Sequence, residues 1–297
     1  MCFALRRCLV VPLLLTASCS SFELEDSFVI TEEFSSEEPV SLEVACDVGW
    51  IEVGEDPSLE GIEVRGTVRL TERNEERALA RFDQLGASIR PQPSGFTVAP
   101  TFEGGRRKTE RISLKVTVPD LGGVQIKTSN GSLKASGASG RVEAESSNGS
   151  IELVDCRGGA QLSTGNGAIS LSRVSGGIRG ITGNGSVKVA GSVGALDLQT
   201  SNGGIEVSLA DDAKDAVELR SSNGSIGLSV AHGWSGVIEA STSNGQVRFR
   251  DQDGMRQKGR ASILAVGAGG PRSVTRTSNG SIEVEVRAPE LMRGPRR

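Results

Sequence analysis

The sequence predicts an all-β protein built as a single β-solenoid, similar to a parallel β-helix, with one short helix in its N-terminal part. Three observations lead to this fold class: a recurring Asn-Gly pair, apolar residues that alternate with polar ones on both sides of each pair, and 39 glycines among 297 residues. A repeat of constant length indicates one structural unit stacked on copies of itself.

The Asn-Gly pair divides the C-terminal half of the chain into coils of about 18 residues. The first five pairs are 18 residues apart, the next two steps are 21, and the last step is 35. Asn and Gly both tolerate positive φ, so the pair bends a chain at little energetic cost. The asparagines of these turns are Asn130, Asn148, Asn166, Asn184, Asn202, Asn223, Asn244 and Asn279.

Each coil is predicted to contain two short strands, one on either side of the Asn-Gly turn. Apolar residues follow each Asn by three and five positions, as Ile151 and Leu153 follow Asn148. Before the first seven asparagines, an apolar residue lies six positions earlier and an apolar or small residue lies four positions earlier. A spacing of two residues is the period of a half-buried strand. We therefore expect two strands that enclose a thin apolar core.

These strands could pair in two ways. Asn-Gly is a strong hairpin signal, and a meander of hairpins would pair the two strands of one repeat. A solenoid instead pairs each strand with its copy in the next coil, about 4.8 Å away. Residues of the same type recur at the same phase, so like would stack on like, which favours the solenoid. The stacked Asn side chains then form a structural ladder; the alternative is that they line a ligand groove.

Charge and outward-facing residues limit the classes of partner. Outward positions carry both signs of charge, such as Lys188 and Glu206, which indicates a solvated sheet face or, alternatively, a charged binding face. The formal net charge is −4, and it becomes −6 if Arg6 and Arg7 leave with a signal peptide. Nucleic acid requires a basic face, so we expect no nucleic-acid partner.

Residues 1–18 have the features of a signal peptide. Arg6 and Arg7 supply positive charge, and the apolar run Leu9–Thr16 is too short to span a bilayer as a helix. Residues 15–19 (Leu-Thr-Ala-Ser-Cys) resemble the box of bacterial lipoproteins. We therefore expect Cys19 to carry acyl chains such as palmitate, which would hold the exported protein on a membrane. A plain signal peptide with an incidental Cys is the alternative.

The rest of the chain is assigned by pattern. Residues 19–39 are acidic and form either a solvated, lipid-tethered linker or a first edge strand. A degenerate repeat around Val48-Gly49 places the solenoid at 40–286, with regular coils from 123. The apolar residues of Glu72–Leu85 have helical spacing. Residues 287–297 are predicted to be a disordered tail.

The step from Asn244 to Asn279 contains an irregular insertion at residues 251–271. Its polar part, Asp251–Arg260, is expected to protrude, and Ile263–Val266 is expected to be a strand. Insertions in repeat proteins often carry the binding function. This insertion is therefore the first place to look for a docking site, with a loop of no function as the alternative.

Chemistry-bearing residues are few. His232 is the one His of the chain and lies in a loop, and the acidic group Asp211, Asp212 and Asp215 is more typical of a solvated turn than of a cation site. We expect no catalytic residues, no metal and no cofactor. Cys46 and Cys156 remain after the signal and Cys19 are set aside, and a disulfide and two buried thiols both stay open.

The repeat resembles the Toastrack, or “putative adhesin”, family of bacterial β-strand repeat proteins. The resemblance covers roughly residues 40–286, and it rests on Thr/Ser-Ser/Gly-Asn-Gly followed by an alternating strand, as at 128–131 and 221–224. It implies adhesion or the sensing of envelope stress, and it implies no catalytic residues. Members are often fused to membrane segments, a link that a lipid anchor would supply here.

The sequence thus favours a lipid-anchored binding or scaffolding module of the bacterial cell envelope, not an enzyme. Its expected partners are the membrane, through Cys19, and an envelope protein or surface polymer. The alternatives are an enzyme acting on polysaccharide, a partner in envelope-stress sensing, and a purely structural spacer. An acidic cluster in one groove would favour the enzyme, and the lack of any apolar patch would favour the spacer.

Overall fold

A computed structural model of the chain describes residues 14–18, 21–34, 36, 38–251, 254–267 and 269–287. The described residues are mostly in strands and include one helix, so the predicted all-β solenoid class is confirmed. No helix in these ranges has the length and apolar character needed to cross a membrane. The chain divides into two compact units, Met1–Ser147 and Asn148–Arg297.

The first unit contains a helix and two sheets. Its elements are β1 (Leu14–Ser18), β2 (Ser21–Glu33), β3 (Val40–Val48), β4 (Ile51–Glu55), β5 (Gly61–Glu72), α1 (Glu75–Phe82), β6 (Leu85–Gln92), β7 (Gly95–Phe102), β8 (Arg111–Val118), β9 (Leu121–Asn130), β10 (Leu133–Ser136) and β11 (Val142–Asn148). One sheet has the order β1-β2-β5-β8-β4-β10 and the other β11-β9-β3-β7-β6.

The degenerate repeat near residue 40 forms a coil of the solenoid. β3 pairs in parallel with β9 and β4 with β10, so that Val48 lies opposite Asn130 and Ile51 opposite Leu133. These are the partners that the aligned repeats predict. The phase of the apolar residues therefore sets the register even where the Asn of the turn is replaced.

The acidic segment after Cys19 contains a strand over Ser21–Glu33, which lies between β1 and β5 in its sheet. This part of the segment is therefore neither a solvated linker nor an edge strand. β2 pairs along its whole length with β5 in an antiparallel arrangement. Leu24, Phe28 and Ile30 are buried at alternate positions, so one face of the strand contributes to the core. Leu14–Ser18, the described part of the predicted signal, pairs with β2 as β1.

Helix α1 is shorter than the predicted segment 72–85. The side chain of Asn74 caps it by accepting a hydrogen bond from the backbone N–H of Arg77 at 3.0 Å. Glu72 still belongs to β5, and Leu85 already belongs to β6. Strand pairing therefore removes the ends of the predicted helix, and the remaining helix packs against β2 and β5.

The second unit consists of stacked coils whose strands form two sheets. Its strands are β12 (Ile151–Val154), β13 (Ala160–Thr164), β14 (Ile169–Ser172), β15 (Ile178–Thr182), β16 (Val187–Ser192), β17 (Leu196–Asn202), β18 (Ile205–Leu209), β19 (Val217–Asn223), β20 (Ile226–Val230), β21 (Gly236–Asn244), β22 (Val247–Asp251), β23 (Gly254–Gly259), β24 (Ala261–Val266), β25 (Arg272–Asn279) and β26 (Ile282–Val286). The sheet orders are β12-β14-β16-β18-β20-β26-β22-β23 and β13-β15-β17-β19-β25-β21-β24.

Equivalent positions of successive coils stack in parallel. Ile169 lies opposite Val187, which lies opposite Ile205, and all three are buried. This pairing confirms the solenoid arrangement over a meander of hairpins. Like apolar residues stack on like, so a short repeat can bury a continuous core.

The last coil in sequence is not the last in space. β25 pairs in parallel with both β19 and β21, so Asn279 lies between Asn223 and Asn244. β23 and β24 then pair with β22 and β21 in antiparallel fashion at the end of each sheet. The expectation that the polar stretch protrudes is thus wrong over residues 254–259, because this segment satisfies the open edge of the terminal coil.

The glycine of the turn is required by close approach of neighbouring coils. Among the described residues, positive φ outside glycine occurs at Asp155 and Arg173 and at none of the turn asparagines. A Cβ atom on Gly185 would lie 1.9 Å from the carbonyl oxygen of Gly167 in the neighbouring coil. The expected reason, tolerance of positive φ, is therefore not the one that applies at Gly185.

Candidate functional site

The turn asparagines of the second unit form a hydrogen-bonded ladder. From Asn166 onward, each side-chain amide donates through Nδ2 to Oδ1 of the asparagine in the preceding coil in space, as Asn184 donates to Asn166 at 2.7 Å. In spatial order the ladder runs through Asn148, Asn166, Asn184, Asn202, Asn223, Asn279 and Asn244. Asn130 lies in the first unit, where its backbone carbonyl accepts a hydrogen bond from Gly49 N–H at 3.0 Å.

A row of buried hydroxyl groups supports this ladder. Thr182 Oγ1 donates to the carbonyl oxygen of Gly167 at 2.8 Å, and Thr200 Oγ1 to that of Gly185 at 2.9 Å. Equivalent bonds recur from coil to coil. The stacked Asn-Gly turns, called the turn column below, therefore satisfy the hydrogen bonds of these amide and hydroxyl groups within the protein. This indicates a structural role.

Ion pairs between neighbouring strands occupy the outer faces of the second unit. Arg173 Nε lies 2.6 Å from Asp155 Oδ1, and Arg272 Nη2 lies 2.7 Å from Glu239 Oε2. Exposed pairs of this kind contribute little to stability, because water and salt screen the attraction between the charges. The faces are thus solvated and mixed in charge, and these carboxylates are engaged by basic side chains.

The loop residues that the sequence offered as candidate catalytic or cation-binding groups are His232, Asp211, Asp212 and Asp215. His232 is exposed, and Asp211 pairs with Arg287 at 2.9 Å, while Asp212 and Asp215 are exposed. In the part of the chain that the structure describes, no three His, Cys, Asp or Glu residues are grouped so as to hold a metal ion.

The two remaining cysteines are buried thiols. Within the described ranges, Cys46 and Cys156 form no disulfide. Cys46 Sγ donates to the carbonyl oxygen of Ile112 at 3.0 Å, and burial raises the pKa of Cys46 to about 11. Such a thiol is protonated at neutral pH and is a poor nucleophile. Cys19, the predicted lipidation site, lies outside the described residues.

The insertion places an apolar strand at the edge of the second unit. β24 pairs with β21 along one side. Ala261, Ile263 and Ala265 face outward on it and are exposed, and Ile263 is 63% exposed. Among the described residues, the other exposed large apolar side chains are Trp50 and Leu79, which are less open, at 40% and 41%. The insertion therefore presents an apolar row on a strand whose other edge pairs with no strand among the described residues.

A cleft of about 350 Å³ opens beside Trp50 in the first unit. Glu25, Arg69 and Arg111 lie directly opposite one another on β2, β5 and β8 along its floor. The sequence did not indicate this cleft, because these residues are far apart along the chain. The one available signal was Trp50 itself, which occupies a turn position that is Ser132 in the aligned repeat.

Solved structures of low sequence identity cover most of the chain. A “putative adhesin” from Bacteroides fragilis is 11% identical, covers 86% of this chain and 96% of its own, and has a TM-score of 0.37. A “putative adhesin” from Parabacteroides distasonis is 10% identical, covers 88% and 97%, and has a TM-score of 0.36. A “putative lipid binding protein” from the same species is 10% identical, covers 88% and 97%, and has a TM-score of 0.27.

Sequence comparison identifies a family. No curated protein matches the chain significantly. The sequence profile of Toastrack DUF4097 matches residues 84–285, which is more than half of the chain and includes every Asn-Gly turn. The stacked strands joined by these turns lie within that range. The chain therefore belongs to the Toastrack DUF4097 family.

Proposed function

We propose that the protein is a binding module of the bacterial cell envelope, held on a membrane by a lipid on Cys19, that docks an envelope protein through the edge strand β24. The observation that carries this proposal is the outward row of Ala261, Ile263 and Ala265 on that strand. Natural edge strands usually carry charges, which discourage pairing with other chains. β24 has the sequence Ala-Ser-Ile-Leu-Ala-Val and carries none.

The partner that fits β24 is an extended segment of another protein. Such a segment would add a strand beside β24 through backbone hydrogen bonds, and its apolar side chains would cover Ile263. This mode needs a rigid sheet behind the edge strand, which the parallel coils joined to β21 supply. The ladder of Asn side chains keeps those coils in register.

Two observations favour binding over the alternatives. A polysaccharide-cleaving enzyme would need uncommitted carboxylates in a groove, whereas Asp155 and Glu239 pair with basic side chains of neighbouring strands. A purely structural spacer would need no apolar patch, whereas Ile263 is 63% exposed. The apolar edge therefore argues for a docking module.

The proposal is tested by cross-linked pull-down of the full-length protein from native membranes, analysed by mass spectrometry. One dominant protein partner is expected, and Ile263→Lys should remove it because a charge would be buried at the contact. Leu79→Lys, a matched change of an exposed apolar residue on α1, should retain the partner. A partner that survives Ile263→Lys, or glycan fragments without a defined protein, would contradict docking through β24.

A further inference from the structure

The cleft beside Trp50 has the dimensions and lining of a small-ligand site. Its volume of about 350 Å³ lies within the range of ligand pockets, about 300–1,000 Å³. Outward residues of β2, β5 and β8 form its floor, and the turns at 48–50 and 130–132 form its wall. All of these residues belong to the first unit, so the cleft is independent of the edge strand β24.

The residues that line the cleft carry one more positive charge than negative charge, with Arg69 and Arg111 against Glu25. Arg69 and Arg111 are directly opposite each other on antiparallel strands, a placement in which like charges repel. Glu25 Oε2 accepts from Arg69 Nη2 at 2.7 Å and so compensates Arg69. The side chain of Arg111 has no hydrogen-bond or ion-pair partner among the described residues. An anion bound at Arg111 would relieve the repulsion and use a guanidinium that is otherwise uncommitted.

The wall of the cleft supplies an aromatic surface. Trp50 is 40% exposed, although indole rings are usually well covered in folded proteins. Its backbone N–H donates to Ser113 Oγ at 3.2 Å, which fixes the turn against β8. An exposed indole at the mouth of a polar cleft offers an apolar plane for the carbon–hydrogen face of a sugar ring.

Other residues that line the cleft carry hydroxyl or amide groups. Thr67, Ser113, Asn130 and Ser132 line it together with Trp50 and the two arginines. Such groups both donate and accept hydrogen bonds, as sugar hydroxyls require. A purely charged ligand would use the arginines alone, whereas this lining also provides partners for a polyhydroxylated ring.

We infer that this cleft binds an acidic saccharide. The sugar ring stacks on Trp50, its carboxylate accepts two hydrogen bonds from the guanidinium of Arg111, and its hydroxyls contact Thr67 and Ser132. This site goes beyond docking through β24, since it assigns the first unit a ligand of its own. The two claims rest on different residues, so either can fail without the other.

The test is a titration of the purified full-length protein with a galacturonic acid trimer, followed by tryptophan fluorescence and calorimetry. The chain has no Tyr, and Trp234 is 2% exposed, so a fluorescence change would report on Trp50. Arg111→Gln should weaken binding by at least about tenfold, because it removes a charge-assisted hydrogen bond. Arg90→Gln, which changes an exposed arginine on β6 outside the cleft, should bind as the unchanged protein does.

Further variants and ligands separate the outcomes. Measured by calorimetry, Trp50→Leu should also weaken binding at least about tenfold. The affinity of Trp50→Phe should lie between those of the unchanged protein and Trp50→Leu. Arg111→Gln should unfold at a slightly higher temperature, because it removes the repulsion from Arg69. The inference is overturned if the trimer does not bind at millimolar concentration, if Arg111→Gln binds normally, or if a neutral galactose trimer or a tetra-aspartate peptide binds equally well.

Discussion

At the scale of single residues, the glycine of each Asn-Gly turn is constrained by its neighbour. A Cβ on Gly185 would lie 1.9 Å from the carbonyl oxygen of Gly167, a backbone atom that cannot move without shifting the coil. We expect Gly185→Ala to destabilise the protein by about 1–3 kcal/mol, as other overpacked sites do. The midpoint of denaturant unfolding measures this change.

Gly227→Ala is the matched control. A Cβ at Gly227 would meet no heavy atom within 4 Å. This variant should lose no stability, and restriction of the unfolded chain can add about 0.4–1 kcal/mol. Equal losses at Gly185 and Gly227 would mean that contact with the neighbouring coil is not what requires glycine in the turn.

A buried ion pair makes the first unit sensitive to acid. Burial opposes the charge on Glu110, but hydrogen bonds from Arg81 and from the backbone N–H of Arg107 outweigh it and lower the pKa of Glu110. A carboxyl whose folded pKa is depressed adds stability above its unfolded pKa of about 4.3. That stability is lost as the pH falls through the lower folded pKa.

Thermal unfolding between pH 7 and pH 2 tests this assignment. The unchanged protein should lose stability steeply below about pH 4. The Glu110→Gln variant should be less stable at pH 7, and its stability should fall less steeply as the pH is lowered. Glu285→Gln, on the outer face of β26, should leave the acid slope unchanged. If Glu110→Gln keeps the full acid slope, other carboxylates cause it.

At the scale of elements, the order of the coils is the least expected result. β25 lies between β19 and β21, so Ser278 is adjacent to Ser222 by the strand register, and Ser243 is two strands from Ser222. Adjacent strands are about 4.8 Å apart and alternate ones about 9.6 Å. A disulfide needs Cα atoms within about 7 Å.

Paired cysteine substitutions distinguish the two orders. We expect Ser222→Cys with Ser278→Cys to form a disulfide under mild oxidation, and Ser222→Cys with Ser243→Cys to stay reduced. Gel mobility and mass spectrometry without reductant report the bond. The opposite result would show that the coils stack in sequence order.

These elements also show how far a repeat can be interpreted. The phase of Ile169, Val187 and Ile205 predicted parallel stacking in register, because a period of 18 residues is a local property of the sequence. The position of β25 between β19 and β21 was not predictable. The step of 35 residues indicates only that one coil is irregular. Arg69 and Arg111 meet through antiparallel pairing over a long separation, which no repeat encodes.

At the scale of the whole molecule, the proposed anchor decides where the protein acts. Cys19→Ala should release the exported protein from membranes, because no acyl chain would then hold it. Fractionation of membranes and soluble material, followed by immunoblotting, measures the distribution. Ser36→Ala, in the described chain near the same end, should remain with the membrane. A Cys19→Ala protein that stays membrane-bound would contradict lipidation at this residue.

The regularity of the second unit explains why the docking edge is where specificity is expected. Its faces repeat the same mixed-charge pairs, and its turn column repeats the same ladder, so neither differs much from coil to coil. β23 and β24 break the repeat and end the two sheets. A partner can therefore bind one end of the unit specifically, because the many similar coils do not offer the same binding site.

The most direct measurement is site-specific photo-cross-linking in intact envelopes, with p-benzoylphenylalanine in place of Ile263 or, as the control, of Leu79. Docking through β24 predicts one discrete protein adduct from position 263 and none from position 79. No adduct at 263 in a protein that is present on the membrane, or the same adducts at both positions, would contradict the account.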